Sequence, residues 1–200
     1  MKKTTQCERL QTVLDLSWEL VYRSILSGRL EINKESSLQL HLSRTIFDLG
    51  NLYCTEPGEC FKIEMESNYE GKSIDITCSL GDTSAALELK CFIKASNRAA
   101  DLDMYDVLKD IERLESYSVF NIRKFICLTD NKYYPHTEQR GYGKSVTLKN
   151  GTTYTAGQKI IPAWTGIWKV NRDKEIILTN ELVCDWVSDE IWHFLYLNIK

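Results

Sequence analysis

Residues 72–93, KSIDITCSLGDTSAALELKCFI, decide the fold, because they read as two short strands joined at Gly81-Asp82. In the first half Ile74 and Ile76 recur with period two, which sends Ser73, Asp75 and Thr77 to the opposite face. In the second half Leu87, Leu89 and Cys91 share one face, and Glu88 and Lys90 share the other. Asp75 therefore stands in the middle of a strand and not at a turn.

Two carboxylates and an ammonium on the polar faces of neighbouring strands have a chemical use. Carboxylate oxygens are hard ligands suited to Mg²⁺ or Mn²⁺, and Mg²⁺ takes only one or two protein carboxylates while keeping several waters. A cation so held polarises phosphoryl oxygens and acidifies a bound water, and a neighbouring lysine can offset charge in the transition state. The plainer alternative is a solvent-facing hairpin whose Glu-x-Lys pair is incidental.

Asp75, twelve intervening positions, then Glu88-Leu89-Lys90 resembles the PD-(D/E)xK motif of the restriction-endonuclease-like nuclease superfamily. Ile74 stands where that motif is named for proline. The resemblance spans residues 35–127 by element order and implies an α/β (α+β) fold, a mixed central sheet flanked by helices. It implies a metal-dependent nuclease that hydrolyses phosphodiester bonds, a DNA endonuclease of restriction, defence or repair type, with Mg²⁺ or Mn²⁺ held by Asp75 and Glu88. Lys90 would act on the water or the transition state. Members of the superfamily often add a glutamate from the helix before the sheet, and Glu35 is the matching position, with Gln39 one turn on. Glu35 also reads as an ordinary helix N-terminal acid favoured by the macrodipole. The alternative reading overall is a catalytically inactive domain of the same fold that binds nucleic acid or protein.

At 200 residues, 43% hydrophobic and 26% charged, the chain reads as one domain, with a nuclease-like core over about 30–130 and a β-rich basic extension over about 131–200. No apolar run approaches the ~20 residues of a membrane helix, and the opening MKKTTQCERLQ lacks an apolar signal region. A cytoplasmic protein without a membrane partner is expected. Seven cysteines, odd in number and mostly in apolar stretches, read as reduced core thiols, and the absence of any C-x-x-C argues against structural zinc. No G-x-S-x-G, Walker A or G-x-G-x-x-G pattern occurs, which leaves hydrolytic metal chemistry as the coherent enzymatic option.

Net charge is −3, yet residues 118–174 carry ten Lys or Arg against three acids, a local +7 against −10 elsewhere. That asymmetry suits a phosphate track, so nucleic acid, double-stranded DNA foremost, is the expected partner, with a homodimer left open. Lys132, Tyr133, Tyr134, Arg140 and Lys144 are the expected nucleic-acid contacts, and Tyr142, Tyr154, Trp164 and Trp168 interleave with the basic residues as bases would require. The tryptophans equally suit a β-rich core.

The remaining elements follow from periodicity. A helix is expected over 5–27, with Leu10, Val13, Leu14, Leu16, Val21 and Ile25 inward and Gly28 as its stop. A second should follow Asn33 as N-cap, bury Leu38, Leu42, Ile46 and Leu49, and close at Gly50. Phe61, Ile63 and Met65 predict a strand with a solvated outer face of Lys62, Glu64 and Glu66, followed by a turn over 67–71. A helix over 101–117 and a doubly covered strand at 125–128 come next. Residues 130–143 read as a loop, Asn150-Gly151 as a hairpin turn between strands at 146–149 and 152–155, and further strands are expected at 166–170 and 175–179. The tail 189–200 suits either a strand or a helix.

Overall fold

The computed structural model describes residues 4–96, 99–138, 140, 144–161, 172 and 174–200. Its elements are α1 (Gln6–Leu26), α2 (Glu35–Leu52), β1 (Phe61–Tyr69), β2 (Lys72–Leu80), β3 (Thr83–Phe92), α3 (Ala100–Ser116), β4 (Ile122–Thr129) and α4 (Tyr133–His136). Short strands follow: β5 (Thr153–Tyr154), β6 (Lys159–Ile160), β7 (Ile176–Ile177), β8 (Leu182–Val183), β9 (Trp186–Ser188) and β10 (His193–Ile199). The architecture is mixed α/β, with a six-stranded mixed sheet of order β1-β2-β3-β4-β10-β9. No helix among the described residues is long and apolar enough to cross a membrane. The chain forms two compact units, Met1–Leu89 with Ser118–Lys124, and Lys90–Tyr117 with Phe125–Lys200.

In the first unit α1 starts at a capping box, in which Thr5 Oγ1 accepts the Glu8 N–H and Glu8 accepts the Thr5 N–H. Leu10, Val13, Leu14, Trp18, Val21 and Ile25 are its buried face, whereas Leu16 lies off that stripe and is exposed. Helix α2 departs from expectation at both ends. Its N-cap is Lys34 and not Asn33, and Gly50 lies inside it and not at its stop. A Cβ on Gly50 would come 2.5 Å from the Phe61 ring, so glycine is required there for α2 to approach β1. Gly50→Ala is expected to destabilise the fold by about 1–3 kcal/mol through overpacking, read as a lower urea midpoint; an unchanged midpoint would mean that Phe61 moves aside freely.

Strand β1 takes in the first three residues of the expected turn and ends at Tyr69, so the β1–β2 loop is only the two residues Glu70 and Gly71, with φ of 50° and 75°. Positive φ at both central positions is what a twisted two-residue hairpin asks for. Ile74, Ile76, Cys78 and Leu80 are buried from β2, as the alternation requires, but Met65 of β1 is half exposed. Arg9 of α1 donates to Glu59 and to the Tyr53 carbonyl, tying the start of α1 to the segment before β1. Hydrogen bonds from Arg9 hold the Glu59 carboxyl well below the usual carboxylate range, ahead of its backbone and Gln6 hydrogen bonds. A depressed folded pKa means that this contribution is complete above the unfolded carboxyl's pKa of about 4.3 and is lost as pH falls further. The stability difference between wild type and Glu59→Gln should therefore be larger at neutral pH than in acid; a difference independent of pH would contradict the pairing.

In the second unit Phe125, Ile126, Cys127 and Leu128 are fully buried, the burial expected of a strand covered on both faces. The acids of α3 are structural: Glu112 accepts the Ile177 N–H, Glu115 accepts the N–H groups of Thr179 and Asn180, and Asp106 pairs with Arg172. Residues 133–136 form the short helix α4 where a loop was expected. The turn at Asn150-Gly151 is present, with Gly151 at φ 80°, but its outgoing strand β5 pairs with β8, so the expected 146–155 hairpin does not form. Residues 176–177 are the strand β7, and the tail is the strand β10. The strand expected at 166–170, together with Tyr142, Trp164 and Trp168, lies outside the described residues.

Candidate functional site

The β2–β3 ladder runs from Leu80↔Thr83 to Ile76↔Leu87. One rung further, the register would bring Asp75 against Glu88, and there the pairing changes character: Asp75 Oδ2 accepts the Leu89 N–H at 2.6 Å. The two carboxylate-bearing residues stand just beyond the last paired rung, Ile76↔Leu87. Glu88 is 1% exposed and Asp75 is half-buried. Carrying a carboxylate that far from water is costly unless it is paired or coordinates a cation.

Backbone and side chains around Asp75 are clamped from two sides. Gln39, on the inward side of α2, donates from one Nε2 to the Asp75 carbonyl at 2.7 Å and to Glu66 Oε1 at 2.8 Å. Glu66 Oε2 accepts from Ser73 Oγ at 2.8 Å. Glu66 holds φ at 53°, the left-handed region, in mid-strand and at the rung of Asp75. A non-glycine residue there costs on the order of 1–3 kcal/mol and persists only when surrounding contacts enforce it. Glu66 was expected to be merely solvated, and nothing in an acidic alternation marks one residue out. Gln39 was legible through its place one turn from Glu35.

Glu35 is the first residue of α2 and half-buried, four residues before Gln39 on the same helix. Lys90, two residues beyond Glu88 on β3, forms an ion pair with Asp110 at 2.7 Å, and Asp110 also pairs with Arg113 at 3.0 Å. Its ammonium is thus held in a carboxylate network and is 17% exposed at the side chain. Among the described residues no group of three or more His, Cys, Asp or Glu is arranged to hold a metal ion. Asp75 and Glu88 are two carboxylates on neighbouring strands, and hard oxygen donors of this kind are what Mg²⁺ takes one or two at a time, with water completing its shell.

The expected nucleic-acid contacts divide. Lys132, Arg140 and Lys144 are exposed, and Tyr133 is 39% exposed. Tyr134 is 2% exposed, its ring stacked on Phe92 at 4.8 Å and its hydroxyl donating to Asp103 at 2.7 Å, so it is a core residue and cannot stack a base. Tyr154 is buried as well. The basic excess of 118–174 is smaller in space than in sequence. Lys124 is buried against Asp15, Arg172 pairs with Asp106, Lys149 with Glu138 and Lys159 with Glu175.

Four of the seven cysteines, Cys78, Cys91, Cys127 and Cys184, are buried, and burial pushes the Cys78 and Cys184 thiols up to about 12, as inert core thiols require. No protein-family model, curated protein or solved structure matches the chain.

Proposed function

We propose that the protein is a divalent-metal-dependent phosphodiesterase acting on nucleic acid, a DNA endonuclease of the restriction-endonuclease-like type, in which Asp75 and Glu88 hold Mg²⁺ or Mn²⁺. The observation that carries this reading is the end of the β2–β3 ladder, where Asp75 spans to the Leu89 N–H beside the buried Glu88. The helix-strand-strand-strand-helix-strand order from α2 to β4 supports the same assignment. When bound, the cation supplies a polarised phosphoryl oxygen and an acidified water. Asp75 and Glu88 hold it, Gln39 and Glu66 fix the backbone that carries Asp75, and Glu35 borders the same helix turn. Lys90 supplies positive charge on the same strand, and Lys132, Tyr133, Arg140 and Lys144 supply exposed contacts for the phosphate backbone.

A second reading, a catalytically silent domain that binds nucleic acid or protein, is favoured by the ion pair that commits Lys90 to Asp110. The two are separated by titrating Mg²⁺ and Mn²⁺ against plasmid, linear duplex, single-stranded DNA and RNA. Metal-dependent cleavage that survives in Asp110→Asn is expected from the enzyme. Binding without cleavage at any metal concentration would support the silent domain and overturn the enzyme.

A further inference from the structure

The first unit carries a groove of about 210 Å³ on the polar face of β1, β2 and β3, lined by Lys62, Glu64, Thr77, Ser79, Ser84 and Phe120. Register arranges these residues in rungs. Lys62 pairs with Ser79 and Ser79 with Ser84; Glu64 pairs with Thr77. The next rung of the same β2 face is Asp75, two residues from Thr77. That is one pleat period of about 7 Å, a step that a single nucleotide of an extended strand spans. Asp75, at which the proposed cation would sit, is thus the next residue along the β2 face that lines the groove.

The lining is chemically mixed in a particular way. Phe120, packed edge-on against Tyr69 at 5.6 Å between centroids, offers an aromatic wall. Lys62 is an exposed cation at one end, suited to a phosphate. Glu64 is an exposed carboxylate in the middle, which repels phosphate but accepts a hydrogen bond from an exocyclic amine. The Thr77 hydroxyl is already bonded to Ser67 Oγ at 3.0 Å and the Ser84 hydroxyl donates to the Val119 carbonyl at 3.5 Å, so Ser79 is the adaptable hydroxyl. A wall, a cation and an acceptor in a space of this size fit one nucleotide whose base carries an amino group.

We propose that this groove is a nucleotide subsite that takes one unpaired adenine, cytosine or guanine nucleotide adjoining the cleavage position. The inference rests on the phosphodiesterase reading for its adjacency to the reaction, and on the groove alone for its ligand. Because a base in a paired stack cannot reach the wall, single-stranded or frayed DNA is the favoured substrate over intact duplex.

The test is fluorescence anisotropy with labelled hexamers of dA, dC and dT in EDTA, followed by cleavage of the same oligonucleotides in Mg²⁺. Wild type should bind the dA and dC hexamers roughly five- to ten-fold more tightly than dT, and Glu64→Ala should erase that preference. Phe120→Ala should weaken all three by about ten-fold or more through lost stacking, with Phe120→Trp retaining affinity. Lys62→Glu, at an exposed position that puts little at risk in folding, should weaken binding and flatten its salt dependence. Wild type that fails to bind any hexamer, or binding untouched by Lys62→Glu and Phe120→Ala, overturns the subsite whether or not cleavage occurs. Binding that responds to these variants in a protein that never cleaves keeps the subsite and removes the phosphodiesterase reading.

Discussion

Replacing Asp75 with alanine is expected to lower metal-dependent cleavage by at least about a thousand-fold, the scale on which a preorganised charge-stabilising group is lost. Glu88→Ala should match it, and the double substitution should be no worse than either alone, because two ligands of one cation act as a unit. The stability consequences differ. Asp75 accepts the Leu89 N–H at 2.6 Å, and leaving that donor unsatisfied costs roughly 1–3 kcal/mol. That hydrogen bond makes Asp75 a fold residue as well. Asp75→Asn, whose amide oxygen can still accept from Leu89, should recover stability without recovering cleavage. Wild-type cleavage in Asp75→Asn would remove Asp75 from the metal site.

The largest change in stability is expected at Asp15. Lys124 on β4 is fully buried, and its ammonium is paired with Asp15 of α1 at 2.8 Å. Burial lowers the Lys124 pKa while Asp15 opposes that shift. Asp15→Ala deprives a buried cation of this pair, a change that costs about 3–5 kcal/mol in comparable settings. Lys124→Met removes the charge but keeps the length, and Asp15, about half exposed, can be rehydrated. That variant should be close to neutral or mildly stabilising. Chemical denaturation of the two variants and the double mutant measures the asymmetry; equal losses in Asp15→Ala and Lys124→Met would mean that packing, and not charge, dominates the site.

What could be read beforehand was local. The 72–93 hairpin follows from alternation over nine- and ten-residue strands, and α1 from its threonine cap and apolar spacing. Misreadings arose where one local signal serves two physical ends. Gly50 has the composition of a helix stop, but its missing Cβ is used for the approach to Phe61. Asn150-Gly151 does turn the chain, but the partner that pairs with the outgoing strand lies near residue 182. Charge was misjudged for the same reason: the acids that neutralise Lys124 and Arg172 are 109 and 66 residues away in sequence. In the candidate site, Asp75 and Glu88 were legible because strand register is a short-range property. The left-handed Glu66 and the Asp110 partner of Lys90 were not, since each depends on a contact between distant segments.

The most direct measurement on the proposed centre is calorimetric titration of Mn²⁺ into wild type and into Asp75→Asn/Glu88→Gln, a pair of substitutions that keeps side-chain size while removing both charges. Wild type should bind the ion, gain thermal stability from it in proportion to ligand concentration over Kd, and lose both properties in the double variant. Equal Mn²⁺ binding by the two proteins, or none by wild type, would contradict a metal centre at Asp75 and Glu88.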